Sequence, residues 1–152
     1  MAELTGRTAV ISGASSGIGH ATAVALAQRG ARLALGARRV ERLEALAGEL
    51  PGDGHFTGHL DVTDPASCET FVAAAADRLG RFDILLNNAG MALGRDPIAD
   101  GRDEDDELVF ETNVMGLLRM TRLALPHMED GRGHVVNLGS SAGREAYVGG
   151  GM

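Results

Sequence analysis

The chain has 152 residues, of which 44% are hydrophobic and 23% charged, a composition typical of one globular domain spanning residues 1–152. The formal net charge of −7 argues against a nucleic-acid partner, because phosphate backbones attract positively charged surfaces. The sequence has no long apolar run and no signal-peptide pattern, so we expect no membrane partner either. Cys68 is the only cysteine, which excludes an internal disulfide and suits a reducing cytoplasm, and all 14 basic residues are arginine.

The segment 8–19 predicts a buried strand, a glycine turn and the first turn of a helix. Val10 and Ile11 are apolar and β-branched, as a strand covered on both faces requires. The glycines that follow, spaced G-x-x-x-G-x-G, permit a tight turn, close approach of a phosphate and close helix–strand packing. The helix N-terminus then offers unpaired amides to an anion. The predicted phosphate-binding residues are Gly13, Ser15, Ser16, Gly17, Ile18 and Gly19.

Hydrophobic periodicity predicts helices that alternate with the strands. The predicted buried face of the first helix, which should end at Gly30, consists of Ile18, Ala21, Ala25 and Leu26. A helix capped by Asp64 should bury Cys68, Phe71, Val72, Ala75 and Leu79. A long helix should run from Asp103 to about Met128. The remaining predicted strands are residues 32–37, 55–60, 82–86 and 133–138.

Two arginines follow the predicted second strand, at the position that distinguishes NAD from NADP. A carboxylate there would bond the ribose hydroxyls of NAD, whereas an arginine would hold the 2′-phosphate of NADP. Ala37 is followed by Arg38 and Arg39, so we predict NADP (NADPH) and consider NAD less suitable. The alternative is that both arginines are ordinary surface charges at the start of the next helix.

The histidines and the cysteine do not have the sequence pattern of a metal site or of a catalytic thiol. His55 and His59 lie four residues apart in a predicted strand, with no third ligand nearby, so we predict no metal. Cys68 lies on the apolar face of its helix, which indicates a small core residue instead of a nucleophile.

Three segments together resemble the short-chain dehydrogenase/reductase family over nearly all of the chain: the glycine turn, Asn87-Asn88-Ala89-Gly90 and Glu111-Thr112-Asn113-Val114-Met115-Gly116. The residues that the resemblance places at the cofactor are Asp61 (against the adenine amino group), Val62, Asn87, Ala89 and Gly90. From the residues alone, Asp61 and the Asn/Gly stretch predict turns. The stretch 88–97 looks like the branch of the family that oxidises 3-hydroxy acids such as serine with NADP.

The resemblance implies hydride transfer between the nicotinamide and a carbonyl or alcohol carbon. It implies that Asn113 interrupts its helix and anchors a water of the proton relay; a satisfied buried amide is the alternative. It also implies that Ser140 bonds the substrate oxygen, with Ser141 as the second candidate. The family's catalytic tyrosine lies thirteen residues after that serine, so we expect the motif Tyr-x-x-x-Lys to begin immediately after Met152. Tyr147 is instead interpreted as a substrate-pocket or packing residue.

These interpretations predict an α/β fold: a doubly wound, Rossmann-type parallel sheet with strand order 3-2-1-4-5, incomplete at its C-terminus and with an uncovered edge at the fifth strand. The predicted function is a cytoplasmic NADP-dependent oxidoreductase acting on a small molecule, whose parent enzyme is a homo-oligomer (dimer or tetramer). We expect residues 1–152 alone to be inactive. The alternatives are an inactive dinucleotide-binding or interaction fragment, or one half of a split enzyme.

Overall fold

The computed structural model describes residues 3–93, 97–129 and 131–145, in which five parallel strands form one sheet of order β3-β2-β1-β4-β5. The strands are β1 (Thr8–Ser12), β2 (Arg32–Ala37), β3 (Phe56–His59), β4 (Ile84–Asn87) and β5 (His134–Asn137). The α-helices are α1 (Gly17–Ala27), α2 (Val40–Glu49), α3 (Pro65–Leu79), α4 (Asp103–Phe110) and α5 (Leu117–Ala124). The predicted doubly wound fold and its strand order are therefore confirmed.

Alternate residues of the central strands pack into two separate hydrophobic cores, one on each face of the sheet. Ala9 and Ile11 of β1 pack in one core with side chains of α1 and α2. Val10 of the same strand packs on the other face with α3 and α5, where Phe71 and Met120 are fully or almost fully buried. Helices on both faces explain why β1 is apolar at consecutive positions rather than at alternate ones. The five residues predicted for the buried face of α3 are all buried, and this prediction is confirmed.

The predicted buried face of α1 is wrong at Ile18, Ala21 and Ala25, whereas Leu26 is partly buried and packs against the core. The helix buries Gly19, Ala23 and Ala27, whereas Ile18 is 61% exposed and Ala21 and Ala25 are exposed. The reason is that Gly19 packs the backbone of α1 against the glycine turn after β1. Ala23 and Ala27, four and eight residues later, lie on the same face of the helix and are therefore buried with it. Small side chains permit this approach, so the most hydrophobic residues of the helix do not mark its buried side.

β4 begins two residues later than predicted, because Phe82 pairs with Met128 and not with a strand of the sheet. The next residue, Asp83, bonds to Thr8 twice: its amide donates to the Thr8 carbonyl oxygen at 3.1 Å, and its carboxylate accepts from the Thr8 amide at 2.9 Å. The Arg7 guanidinium pairs with the same carboxylate at 2.7 Å. This half-buried ion pair joins the starts of β1 and β4 at one end of the sheet.

The predicted helix from Asp103 to about Met128 is present but is not continuous. Between α4 and α5 lies a π-helical turn, Glu111–Gly116, and α5 ends in a short 3-10 helix, Leu125–His127. π-Helical turns often occur at functional positions because they redirect side chains that a regular helix would space differently. In the described part of the chain, every helix is too short or too polar to cross a membrane.

β5 lies at one edge of the sheet, as predicted. Its four residues are all exposed, including Val135 at 38% and Val136 at 45%. Within the described residues β5 pairs with β4 on one side only. Its exposed valines and, among the described residues, its unpaired outer edge are features that favour pairing with another strand.

Candidate cofactor site

A cleft of about 780 Å³ opens at the carboxyl ends of the strands. It lies at the crossover point of the sheet, where β2 and β3 are on one side of β1 and β4 and β5 are on the other. Such a crossover point is where open α/β sheets bind ligands. The described lining residues are Gly13, Ser15, Ser16, Ile18, Ala37, Arg38, Arg39, Leu60, Asp61, Val62, Thr63, Asn87, Asn88, Ala89, Gly90, Met91, Ala92, Leu108, Thr112, Asn113, Leu117, Leu138, Gly139 and Ser140. Most of the predicted site residues therefore meet in one cleft.

Two glycines of the turn occupy positions where a side chain does not fit. Gly13 has a φ of 71°, and a Cβ there would lie 2.8 Å from the Ala89 Cα. A Cβ on Gly19 would lie 2.6 Å from the Gly13 carbonyl oxygen and would also overlap the Asn88 side-chain amide. The turn, the start of α1 and the segment after β4 are thus packed backbone against backbone.

The N-terminus of α1 has no side-chain cap. Ser16, the N-cap residue, has extended backbone angles (φ −167°), and its hydroxyl makes no capping hydrogen bond. In contrast, the Asp64 carboxylate caps α3 by accepting from the Ala66 amide at 3.0 Å. The first turn of α1 also contains no acidic residue. The orphan amides and partial positive charge at this end of α1 are therefore available to an external anion.

Arg39 extends across the start of α1. Its Nη2 donates to Ser15 Oγ at 3.1 Å and to Ser16 Oγ at 3.0 Å, so the hydroxyl that would cap the helix accepts from an arginine instead. Arg38 also lines the cleft. Both side chains are exposed, but Arg39 is directed onto the glycine turn, which favours the binding interpretation over that of an ordinary surface charge.

Asp61 forms the turn that the residues alone predict, and it also lines the cleft. Its Oδ1 accepts from the amide and from the hydroxyl of Thr63, at 3.0 and 2.7 Å, which is a turn stabilised by an aspartate side chain. The residue also lines the cleft beside Val62. Burial raises the pKa of Asp61, but the Thr63 hydrogen bonds and the nearby Arg38 outweigh burial and leave that pKa below its ordinary value. The carboxylate is therefore charged at neutral pH.

Asn88 and Ser12 form a hydrogen-bond network that was not among the predicted site residues. The Ser12 hydroxyl accepts from the amides of Asn88 and Ala89 at 3.1 and 3.0 Å. The Asn88 side-chain amide donates to the carbonyl oxygens of Ser12 and Gly13 at 2.9 and 3.1 Å. Ser12 is 1% exposed, and a polar residue at the end of an apolar strand was the signal that could have revealed it.

Asn87 ties three elements together at the base of the cleft. Its Nδ2 donates to Thr121 Oγ1 on α5 and to Asn137 Oδ1 on β5, both at 2.9 Å. The Asn87 Oδ1 is buried and has no hydrogen-bond partner within the described structure. Since a buried acceptor normally finds a partner, this oxygen is a polar feature of the cleft wall that a ligand or a water could satisfy.

Asn113 lies in the π-helical turn, and both polar atoms of its side chain bond to the segment after β4. Its Oδ1 accepts from the Met91 amide at 2.9 Å, and its Nδ2 donates to the Met91 carbonyl at 2.7 Å. A Cβ on Gly90 would lie 3.2 Å from the same Oδ1. The satisfied-amide interpretation therefore describes this side chain, and the helix interruption implied by the family resemblance is also present.

Two of the predicted substrate residues, Ser140 and Ser141, follow the end of β5. Ser140 lines the cleft, and its hydroxyl accepts from the Ala142 amide at 3.1 Å. Ser141 begins the short 3-10 helix that follows. Tyr147 lies outside the described residues, as do residues 94–96 of the stretch that looks like the 3-hydroxy-acid branch.

The histidines and the thiol have structural partners. His55 accepts from the Leu33 amide at 3.2 Å, and His59 contacts Ser67. Among the described residues, no three potential metal-ligating side chains cluster. Cys68 is buried, and burial raises its pKa to about 11, so the thiol is protonated at neutral pH.

A parallel sheet of order β3-β2-β1-β4-β5 with helices on both faces and a cleft at its crossover point defines a domain of the Rossmann type. The family model for short chain dehydrogenases matches residues 7–152, and the chain belongs to that family.

Two curated relatives are about equally similar to the chain. One is an NADP-dependent 3-hydroxy acid dehydrogenase of Salmonella typhi, 41% identical over 142 residues, which cover 93% of this chain and 57% of the relative. The other is a serine 3-dehydrogenase of Agrobacterium fabrum, 42% identical over 143 residues, with 94% and 57% covered. A solved closed form of serine dehydrogenase complexed with NADP+ has a TM-score of 0.86 and 39% identity, over 94% of this chain and 58% of that one. The chain thus spans little more than half the length of these proteins.

Proposed function

We propose that this chain provides the NADP-binding part of an oxidoreductase that transfers a hydride between the nicotinamide and a small carbonyl or alcohol substrate. The observation that carries the proposal is the placement of Arg39 across the uncapped start of α1, 3.0 Å from Ser16 Oγ. The helix end suits a pyrophosphate, and the arginine suits a 2′-phosphate next to it. NADP dependence of the relatives, as their names state it, supports the same cofactor.

The residues present fit this cofactor chemically. Among the described lining residues, the charged side chains are Arg38, Arg39 and Asp61, a net charge of +1 facing an anionic ligand. The Thr63 amide and hydroxyl both donate to one oxygen of the Asp61 carboxylate, Oδ1. The other oxygen, Oδ2, could therefore accept a hydrogen bond from an adenine amino group. Ala37 brings no carboxylate to the end of β2, where an NAD-selective residue would stand.

When bound, NADP supplies the hydride chemistry, and the protein supplies orientation. The amides of the glycine turn would bind the pyrophosphate. Asn87, Ala89 and Gly90, which line the cleft at the end of β4, would contact the cofactor. Ser140, at the end of β5, would bond the substrate oxygen. Asn113 would orient a water for the proton relay through the second lone pair of Oδ1 or the second hydrogen of Nδ2, which the bonds to Met91 leave unused.

The substrate class that we propose is a 3-hydroxy acid, and serine is one example. The support comes from the names of the relatives, two of which are 3-hydroxy acid and serine dehydrogenases. The stretch 88–97, which looks like that branch in the sequence, lies beside the cleft through Met91 and Ala92.

A second candidate is a dinucleotide-binding or interaction module without its own catalysis, or one part of a split enzyme. The sequence feature that distinguishes it from the first candidate is at Tyr147, because Gly151 and not a lysine stands four residues later. Under the first candidate, a chain carrying Tyr-x-x-x-Lys is required for turnover. Co-purification with such a chain would favour the split enzyme.

We further propose a cytoplasmic homo-oligomer, either a dimer or a tetramer. Three apolar side chains recur every four residues along α4, the π-helical turn and α5: Phe110, Val114 and Leu118, exposed by 56%, 39% and 38%. Exposed apolar rows of this kind commonly mark protein contacts. The single protonated thiol suits a reducing compartment. Light scattering gives the mass in solution, and a monomer at micromolar concentration would contradict the oligomer.

The test of the cofactor proposal is an equilibrium titration with NADPH and, in parallel, with NADH. Arg39→Met should weaken NADPH binding roughly ten- to a hundredfold, the size of a charge-assisted hydrogen bond, and should leave NADH binding almost unchanged. Arg42→Met, an exposed arginine one turn further along α2, is the matched control and should change neither affinity. Equal losses for NADPH and NADH would overturn the role of Arg39, and absence of binding to either would overturn the proposed function.

A further inference from the structure

Arg119, on α5, contacts two segments that line the cleft from different parts of the chain. Its Nη1 donates to the Val62 carbonyl oxygen at 3.1 Å, and its Nη2 forms an ion pair with the Glu111 carboxylate. The Arg119 side chain is only 19% exposed. A planar guanidinium carries several donors in a fixed arrangement and can hold both acceptors at once, which a lysine ammonium does less well. Val62 and Glu111 are 49 residues apart in sequence, so this side chain is a long-range bridge.

The two segments are also in direct packing contact. A Cβ on Gly116, the last residue of the π-helical turn, would lie 2.7 Å from Val62 Cγ2 and 3.1 Å from the Val62 carbonyl oxygen. The glycine therefore lets the π-helical turn rest on the Val62 backbone. Since no space separates the two, a shift of either segment displaces the other.

Each of these segments carries cleft-lining residues. Asp61, Val62 and Thr63 line the cleft on the side of β3, and Thr112 and Asn113 line it from the π-helical turn. Asn113 in turn bonds to both main-chain polar groups of Met91, the amide and the carbonyl oxygen. The Arg119 bridge therefore joins the predicted adenine side of the cleft to the segment after β4.

We propose that Arg119 is a positioning residue: through Val62 and Glu111 it fixes the Asp61–Thr63 turn relative to the π-helical turn and so keeps the cleft in its cofactor-binding shape. Arg119 itself lies outside the cleft lining. The inference rests on the proposed function for the identity of the ligand, NADP, but the coupling of the two segments does not depend on that identity.

Cys68 provides a cofactor-independent reporter of the turn. Its Sγ lies 3.6 Å from the Asp61 carbonyl oxygen and 3.7 Å from that of Val62, and the side chain is fully buried. It is the only cysteine in the sequence, so an alkylating reagent modifies the thiol at this site alone. If the turn loosens, iodoacetamide should reach the thiol without global unfolding, and the rate should then depend only weakly on low concentrations of urea.

The experiment compares wild type, Arg119→Met, Glu111→Gln and the double variant by NADPH titration and by Cys68 alkylation under native conditions. Arg119→Met should weaken NADPH binding roughly two- to thirtyfold, the range found for residues that couple segments without touching the ligand. It should accelerate alkylation several-fold, and saturating NADPH should slow alkylation again. Glu111→Gln should have the same effects, and the double variant should resemble Arg119→Met because both changes break one bridge.

Arg122→Met is the matched control, because Arg122 is an exposed arginine on the same helix. It should change the affinity and the alkylation rate by less than about twofold. A lower unfolding midpoint for Arg119→Met with unchanged affinity and unchanged alkylation would reduce Arg119 to a stability role and overturn the proposal. If Arg119→Met does not fold, Arg119→Lys must show the same two effects at smaller size. If wild type does not bind NADPH, the proposed function fails, and the alkylation rates still decide the coupling.

Discussion

Replacing Gly19 by alanine tests how closely α1 packs on the glycine turn. Gly19 is buried in a helix, so the mutation adds one methyl group and removes no side chain. The added Cβ would lie 2.6 Å from the Gly13 carbonyl oxygen and would overlap the Asn88 side-chain amide. That amide makes two hydrogen bonds, to Ser12 and Gly13, and it cannot keep both while it moves away.

The expected cost follows from these contacts. Overpacking of a close-packed site costs roughly 1–3 kcal/mol. Each hydrogen bond of Asn88 that is lost adds about 1 kcal/mol, and the better helix propensity of alanine recovers about 1 kcal/mol. We therefore expect Gly19→Ala to lower the free energy of unfolding by about 3 kcal/mol. Gly48→Ala, in α2, meets no atom within 4 Å and should raise that free energy by about 0.5–1 kcal/mol.

Urea unfolding followed by far-ultraviolet circular dichroism measures both variants. With an ordinary dependence on urea, the midpoint should fall by roughly 1–2 M for Gly19→Ala and rise slightly for Gly48→Ala. NADPH binding by folded Gly19→Ala should also weaken, because the displaced turn carries the predicted phosphate-binding amides. If Gly19→Ala has the wild-type midpoint, or moves in the same direction as Gly48→Ala, the close packing of α1 on the turn is refuted.

Two further predictions concern the polar side chains of Asp83, which is buried, and Asn113, which is partly buried. Burial raises the pKa of Asp83, but hydrogen bonds from Arg7 and Thr8 outweigh burial and hold that pKa below its ordinary value of 3.8. The resulting stabilisation is present above pH 3.8 and is lost as the pH falls through the folded-state pKa. Urea midpoints at several acid pH values should therefore fall further in wild type than in Asp83→Asn, in which other carboxylates such as Asp61 still titrate. Equal acid dependence of the two proteins would contradict the prediction. Asn113→Asp keeps the acceptor for the Met91 amide but removes the donor to the Met91 carbonyl oxygen. We therefore expect the free energy of unfolding at neutral pH to fall by roughly 1–3 kcal/mol. An unchanged urea midpoint would contradict this prediction.

The sequence predicts the fold well wherever a hydrophobic pattern has only one structural solution. The buried face of α3 is correct residue by residue because its apolar side chains are large and recur with helical spacing. The strand order follows from the alternation of strands and helices, together with the handedness of the connections. In α1 the same reasoning fails, because the buried face is selected by the small size of Gly19, Ala23 and Ala27 and not by their hydrophobicity.

The candidate site is predictable in part for a different reason. The glycine turn, Arg38, Arg39 and Asp61 follow strand ends in the sequence, and strand ends of a parallel sheet meet at one edge. The contacts between distant segments are not predictable in this way. The Asn88 bonds to Ser12 and the Arg119 bridge to Val62 depend on side-chain directions that only the assembled structure specifies.

The central claim is that the amides of the glycine turn bind the pyrophosphate of NADP. The most direct test is a titration of the 15N-labelled protein with NADPH, followed by the backbone amide resonances. We predict that the largest shifts occur at residues 13–19, with further shifts at Arg39 and at Asp61–Thr63. Saturable shifts that fall elsewhere on the protein, with residues 13–19 unchanged, would contradict the claim.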